Sequence, residues 1–570
     1  MHRFSLPFRP RLAAAFGILL VGVTWMASVA QPLRAQEGSL PGGDKEPVVV
    51  VTVASLNKLI ADVNYVTGVV GQPQFGGIFS MMAGTFGQGL DTSRPVAILV
   101  PVIDGVPAPI GLVPTTDAES MLKRLEGQIG PADKLDDGTL VVAAGNNLVY
   151  IRQVGTWAAV ASDRDMLDHV PADPDATIQG MGDKYDIAVR LNASQIPLNV
   201  RETYADQLRQ GLEQFLESQP GADPQSLQLG MAQLEQFKKL ILETDRVLFG
   251  LNINPAKRLI NIDTAFTATP GSSLASLYSG QKAIPSALSA VLRANSAIRY
   301  HAASSIAPET AEMFDASLDM AMESVAQLLD DQDQIGEDVK AEIEELLEGL
   351  LQIASKTMKE GKSDVGVAVV ADDGVFRLAG GGFLYSGEAF ADWLQKLDTK
   401  LRQIPNPPVF RFNESTYKDV AMHSITIDIP NMPKQVSDLL GPQIVIHVGT
   451  GPQSAYFGVG KESPAMMRRL IDTAGSDEGD LADRPLGQMR IRLLPLLRLS
   501  QSIRSYDQAA TMLDAVALAS DHDFIQASTT SIPNGQASSL EIGEGLLRLI
   551  GVGIREVQNA QMRQVQQGGF

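Results

Sequence analysis

Residues 364–397 read DVGVAVVADDGVFRLAGGGFLYSGEAFADWLQKL, and their pattern decides the fold. Two apolar runs flank Asp373-Gly374, a pair suited to the left-handed backbone of a tight hairpin turn. Ser386 stands where a helix N-cap belongs, and Phe390, Trp393, Leu394 and Leu397 recur at the spacing of one helical face. The stretch therefore predicts a β-ribbon followed by a capped amphipathic helix. The same order stands at 94–125, RPVAILVPVIDGVPAPIGLVPTTDAESMLKRL. There the turn is Asp104-Gly105, Thr116 and Glu119 fit a capping box, and Met121, Leu122 and Leu125 line the apolar side. Residues 245–278 repeat the pattern with a turn near Asn254-Pro255, and residues 523–550 repeat it around Asn534-Gly535.

A short strand and then helical material precede each ribbon. The strands are VVVVTVASLNKL at 48–59, YDIAVRLNASQIP at 185–197, SAIRYHAASSIAP at 296–308 and QMRIRLLPLLRLS at 488–500. Helices are expected at 201–217 and 224–242, at 309–329 and 339–358, and at 505–519. The first strand instead enters GVVGQPQFGGIFSMMAGTFGQGL, residues 68–90. Copies one and two are joined by strands and a helix at 138–167, and copies three and four by a similar segment at 423–470. This order predicts an α+β fold of two tandem similar halves, each of mostly antiparallel sheet with helical hairpins packed on one face. The expected divisions are a signal peptide at 1–35, a flexible linker at 36–45, a first half at 46–283, a linker at 284–296, a second half at 297–552, and a helix end and tail at 553–570.

Arg3, Arg9 and Arg11 precede an uncharged apolar run from Leu12 to Ala30, with small residues at Ser28, Ala30 and Ala35. That is the pattern of a cleaved export signal, with an uncleaved membrane anchor as its rival. Residues 1–35 hold four of the 46 basic residues and no acid, so the mature chain carries 42 basic against 66 acidic groups. Such a surface repels nucleic acid and anionic lipid headgroups. There is no cysteine, which excludes disulfides, thiolate metal sites and thiol nucleophiles. The expected location is extracytoplasmic, either periplasmic or secreted, with membrane contact only through the N-terminal segment if it stays uncleaved.

Chemistry-bearing motifs are sparse. Aligned on Asp331, the acidic loop 331–342 sets Asp333 and Glu342 at the third and twelfth positions of an EF-hand, making calcium the candidate cofactor. Ile335 breaks the oxygen pattern, and a solvated helix-hairpin turn is the competing account. AYFGVGKE at 455–462 lacks the first glycine and the hydroxyl of a phosphate loop. No Gly-x-Ser-x-Gly elbow is present, and His301 and His447 lie within apolar strands as expected packed residues. Residues 68–90 carry no charge. They read as a loosely helical core segment equivalent to the helices of the other copies, or as an adaptable apolar surface whose ligand or partner contacts are Phe75, Phe79, Met82 and Phe86.

With its Arg-rich signal, absence of cysteine and ribbon followed by a capped helix, the chain resembles uncharacterised exported bacterial proteins of planctomycete type. That resemblance implies no catalytic residues. The expected function is a non-enzymatic binding or structural protein whose partner is an envelope protein or an apolar ligand. The alternatives are an extracytoplasmic hydrolase with a nonlocal site between the halves and a calcium-dependent structural protein.

Overall fold

From the N-terminus the main sheet takes in order β1 (Val49–Val53), β2 (Val96–Val100), β3 (Ile110–Pro114), β4 (Ala132–Lys134), β5 (Leu140–Ala144), β6 (Asn147–Val154), β7 (Trp157–Ala161), β8 (Ile187–Asn192), β9 (Thr244–Asn254) and β10 (Leu259–Ala268), with the short strands Val102–Ile103 and Val106–Pro107 paired apart from it between β2 and β3. The structure, a computed structural model, describes residues 46–103, 105–217, 234, 237–293, 295–330, 336–372, 374–403, 406–474, 481, 484–503 and 508–567. Its contacts divide the chain into one unit of residues up to 210 with 240–266, and a second of residues 211–239 with those from 267 onward.

In the first unit the strands lie in the order β9-β8-β1-β2-β3-β7-β6-β5-β4, every pairing antiparallel. The connections hold α1 (Leu56–Val69) and α2 (Pro73–Phe86) between β1 and β2, α3 (Ala118–Ile129) between β3 and β4, α4 (Pro174–Ile178) and α5 (Met181–Lys184) between β7 and β8, and α6 (Leu198–Glu217) after β8. Of the second helix expected there, at 224–242, the described residues are 234 and the helical 237–242. The cap of α3 sits one residue later than the capping box suggests, because the Asp117 carboxylate reaches the Ser120 N–H at 2.9 Å.

Helix α7 (Ser273–Ser279) follows β10 and falls in the second unit. The second unit continues with β11 (Ile298–Ser305), α8 (Pro308–Asp330), α9 (Glu337–Lys359), β12 (Lys362–Asp372), β13 (Val375–Phe383), α10 (Gly387–Leu401), β14 (Val409–Tyr417), β15 (Val420–Ile427), α11 (Lys434–Leu440), β16 (Ile444–Gly451), β17 (Ser454–Gly460), α12 (Ser463–Thr473), β18 (Gly487–Arg492), α13 (Leu493–Ile503), α14 (Ala509–Ala517), β19 (Phe524–Ile532), β20 (Gly535–Gly543) and α15 (Glu544–Gln567). Its strand order is β20-β19-β18-β11-β12-β13-β17-β16-β15-β14, again antiparallel throughout. The C-terminal boundary expected at 552/553 falls inside the single helix α15.

The alternation of the strands explains which side is filled. In the first unit Val50, Leu99, Ile110, Leu112, Ala159 and Ala188 point into one core around Trp157, which is 1% exposed. Met121, Leu122 and Leu125 of α3 close a second cluster on Leu140, Val142, Val149 and Ile151. In the second unit Met467, Leu470 and Ile471 of α12 pack on Ala368, Ala379, Val420, Met422 and Tyr456. Leu288 and Val291 join that core, so 284–296 is more than a linker: its 289–293 portion is a 3-10 helix with Val291 fully buried. Each such Leu, Ile or Met removed from water contributes about 1.5–3 kcal/mol.

Candidate functional site

The uncharged segment 68–90 forms α2 and its flanks. The segment is helical as expected, but within α2 the buried residues are the small Gly76 and Ala83, while Leu90 beyond it packs on the cluster around Leu125. Gly76 lets α2 cross α1 closely, since a Cβ there would lie 2.4 Å from Asn64 Oδ1 and 2.6 Å from Thr67 Oγ1. Three of the large side chains stand in water. Phe75, Ile78 and Met81 are 56%, 49% and 68% exposed, while Phe79, Met82 and Phe86 are half-buried. Of the four residues nominated from sequence, Phe75 lies on the open face, where Ile78 and Met81 of the same apolar segment join it. The i, i+3, i+6 spacing of these three was the available signal.

The calcium candidates are not brought together by anything described: Asp331 and Asp333 lie outside the described residues. Glu342 sits on α9, where its Oε1 accepts a hydrogen bond from Lys400 Nζ of α10 at 3.1 Å.

Three buried polar networks escaped the sequence reading. In the first unit Lys58 of α1 donates to Asp62 at 2.9 Å, to Asp186 ahead of β8, and to the Ile253 carbonyl at 3.3 Å. Asp186 also accepts from the Ile253 N–H, so the start of α1 is tied to β8 and β9. Burial pushes the Asp62 carboxyl up to about 6, with the Lys58 hydrogen bond opposing and Asp186 adding to the rise. Burial pulls the Lys58 ammonium down, but its hydrogen bonds to Asp186 and Asp62 outweigh this and leave its pKa above the ordinary value.

In the second unit Ser286 Oγ lies 2.7 Å from Asp364 Oδ1 and 2.8 Å from His301 Nε2, and it accepts the Leu288 N–H at 2.9 Å. An ionised carboxylate only accepts, so the hydroxyl proton goes to Asp364 and His301 donates to the oxygen. This reverses the proton direction of a serine nucleophile and its base. Ser286 is a clamp on the 285–288 turn, reinforced by the Ala287 N–H donating to Asp364 at 2.7 Å.

His423 of β15 makes the third network. Its Nδ1 accepts the Asn413 N–H at 3.1 Å, which leaves Nε2 to donate to Thr450 Oγ1 at 2.9 Å. Burial holds its pKa below the ordinary value, with Glu414 opposing. The bond fixes the irregular stretch of β14 between Arg411 and Ser415, where Asn413 has φ +53°.

Beside Asp364 opens a cleft of about 200 Å³ lined by Ile284, Pro285, Leu288, Lys362, Phe383 and Tyr456 among others. Lys362 and Asp364 alternate onto the same face of β12. Gly366, next on that face, leaves room for Leu288, whose Cβ would stand 2.9 Å from a Cβ added there. Gly381 does the same for the Tyr456 ring at 2.8 Å. The Lys362 ammonium rests 4.0 Å above the centre of the Phe383 ring.

No family model matches the chain, and no curated protein is similar to it. Among solved structures, one described as "Structure of crystal form IV of TP0453" aligns over 39% of this chain and 76% of its own at 7% identity, with a TM-score of 0.21. A likeness that low carries no argument about fold or function. Among the described residues no helix is long and apolar enough to cross a membrane.

Proposed function

We propose that the chain is an exported, non-enzymatic binding scaffold built by tandem duplication, whose short arm α1–α2 takes an envelope protein or an apolar ligand. Duplication is supported by strand order: adding ten to each label of the first unit's sheet, from β9 to β4, reproduces the second unit's from β19 to β14. It is supported as well by paired helices at matching connections, α1–α2 after β1 and α8–α9 after β11. Export is supported by the arginines and apolar run ahead of Gln31. N-terminal sequencing of the protein from its host should begin between Gln31 and Glu37.

The observation that carries the binding reading is the face of α2, where Phe75, Ile78 and Met81 stand largely in water on a segment without charge. Clustered exposure of this kind marks a contact surface. The test is paired: Phe75→Ser with Met81→Ser, in protein purified from the native envelope. The melting temperature should hold while co-purifying lipid or protein, quantified by mass spectrometry, falls. Unchanged co-purification with unchanged melting would remove α2 from the reading.

A further inference from the structure

We propose that the cleft beside Asp364 binds a free α-amino acid with an apolar side chain. The site lies on the sheet of the second unit and does not depend on the scaffold reading. Its volume, about 200 Å³, is below the roughly 300–1,000 Å³ of pockets that take drug-sized ligands, so it selects a smaller molecule. Its two charges are of opposite sign and stand two residues apart on one strand face, about 6–7 Å at the backbone. Among the described residues Lys362 makes no ion pair, and the Phe383 ring beneath holds its ammonium at the cleft wall.

Asp364 is buried and oriented. Ser286 and the Ala287 N–H each take one lone pair, one on either oxygen, and a carboxylate has about four, so acceptor sites remain on both oxygens. A ligand carboxylate would meet Lys362, a ligand ammonium would meet Asp364, and the side chain would lie against Ile284, Leu288 and Phe383. A monovalent ligand satisfies only one of these ends and leaves the other charge facing an apolar wall.

Calorimetry on the purified chain tests this with three probes: L-leucine, L-leucinamide, which lacks the carboxylate, and 4-methylpentanoate, which lacks the ammonium. Leucine should saturate with a Kd of about 1 mM or tighter, and each half-ligand should bind at least tenfold more weakly. Lys362→Gln should cost leucine tenfold and leave melting unchanged, and Phe383→Leu should weaken it severalfold. Asp364→Asn endangers the Ser286 clamp, so the leucine and 4-methylpentanoate comparison reads the Asp364 end without a substitution there. No saturation by leucine tenfold above the stated Kd, equal binding of leucine and either half-ligand, or an indifferent Lys362→Gln each overturns the proposal. None of these outcomes bears on α2.

Discussion

The two helical arms occupy the same place in the strand order, α1–α2 between β1 and β2 and α8–α9 between β11 and β12, yet they are built in opposite ways. The long arm has 23 residues in each helix, and α10 supports it: Trp393 Nε1 donates to the Leu346 carbonyl at 2.8 Å, and Lys400 pairs with Glu342 and Glu345. The short arm has 14 residues in each helix, closes on itself through Gly76, and turns Phe75, Ile78 and Met81 outward. One topology thus tolerates either a charged arm buttressed from outside or an arm whose second helix is uncharged and crosses the first through a small residue. What differs is where the apolar surface is left.

The comparison breaks most visibly if the two cores are unequal. Trp157→Ala in the first unit should cost about 3–5 kcal/mol and Met467→Ala in the second about 2–5 kcal/mol, read by chemical denaturation. An indifferent response to either would mean that its unit is not held by the core described. At the arms, Gly76→Leu should cost about 1–3 kcal/mol by overpacking α1 against α2. Gly349→Ala, whose Cβ would meet Trp393 Cδ1 at 3.2 Å, should cost less. Hydrogen exchange over 56–86 and 308–359 reads each arm separately.

The pH response should have opposite signs in the two units. Asp62 titrates near 6 when folded, above its unfolded value, so its stabilisation is complete below about pH 4 and is lost as pH rises toward and past 6. His423 is held below its unfolded value, so its contribution is complete above about pH 6.5 and is lost as pH falls below that. Protonating Nδ1 would also point two donors at each other across the Asn413 bond. Hydrogen exchange across pH 4 to 7 should therefore show 56–69 loosening upward and 409–417 loosening downward, and Asp62→Asn should flatten the first trend alone. The smallest effect belongs to the open face: Phe75→Ala should shift stability by no more than about 0.5 kcal/mol, as for a surface substitution. A larger loss would place Phe75 in a core after all.

The ribbons, caps and amphipathic helices were legible in the sequence because they are local. Ser386 caps α10 three residues from Ala389, and Gly374, at φ +76°, sits in the turn its Asp-Gly pair announces. The pairing of β1 with β8 was not legible, for nothing local to Val51 names Val189. The polar networks were hidden for the same reason: Asp186 meets Lys58 across 128 residues. The sequence left α2 open between core and surface, because bulk alone does not tell which face meets α1, whereas a close helix crossing selects glycine and alanine for the inside.

The shared strand order is the central claim, and the absence of native cysteine makes it directly measurable. Two double variants place cysteines on register partners of the central joins, Val51→Cys with Val189→Cys across β1 and β8, and Tyr300→Cys with Met489→Cys across β11 and β18. Directly opposed residues in a sheet come within disulfide reach. Mild oxidation should cross-link both pairs within one chain, measured by mass spectrometry, while Val51→Cys with Ala188→Cys, displaced by one residue onto the other face, should stay reduced. Cross-linking in one unit but not the other, or equal cross-linking of the displaced pair, would contradict a common strand order.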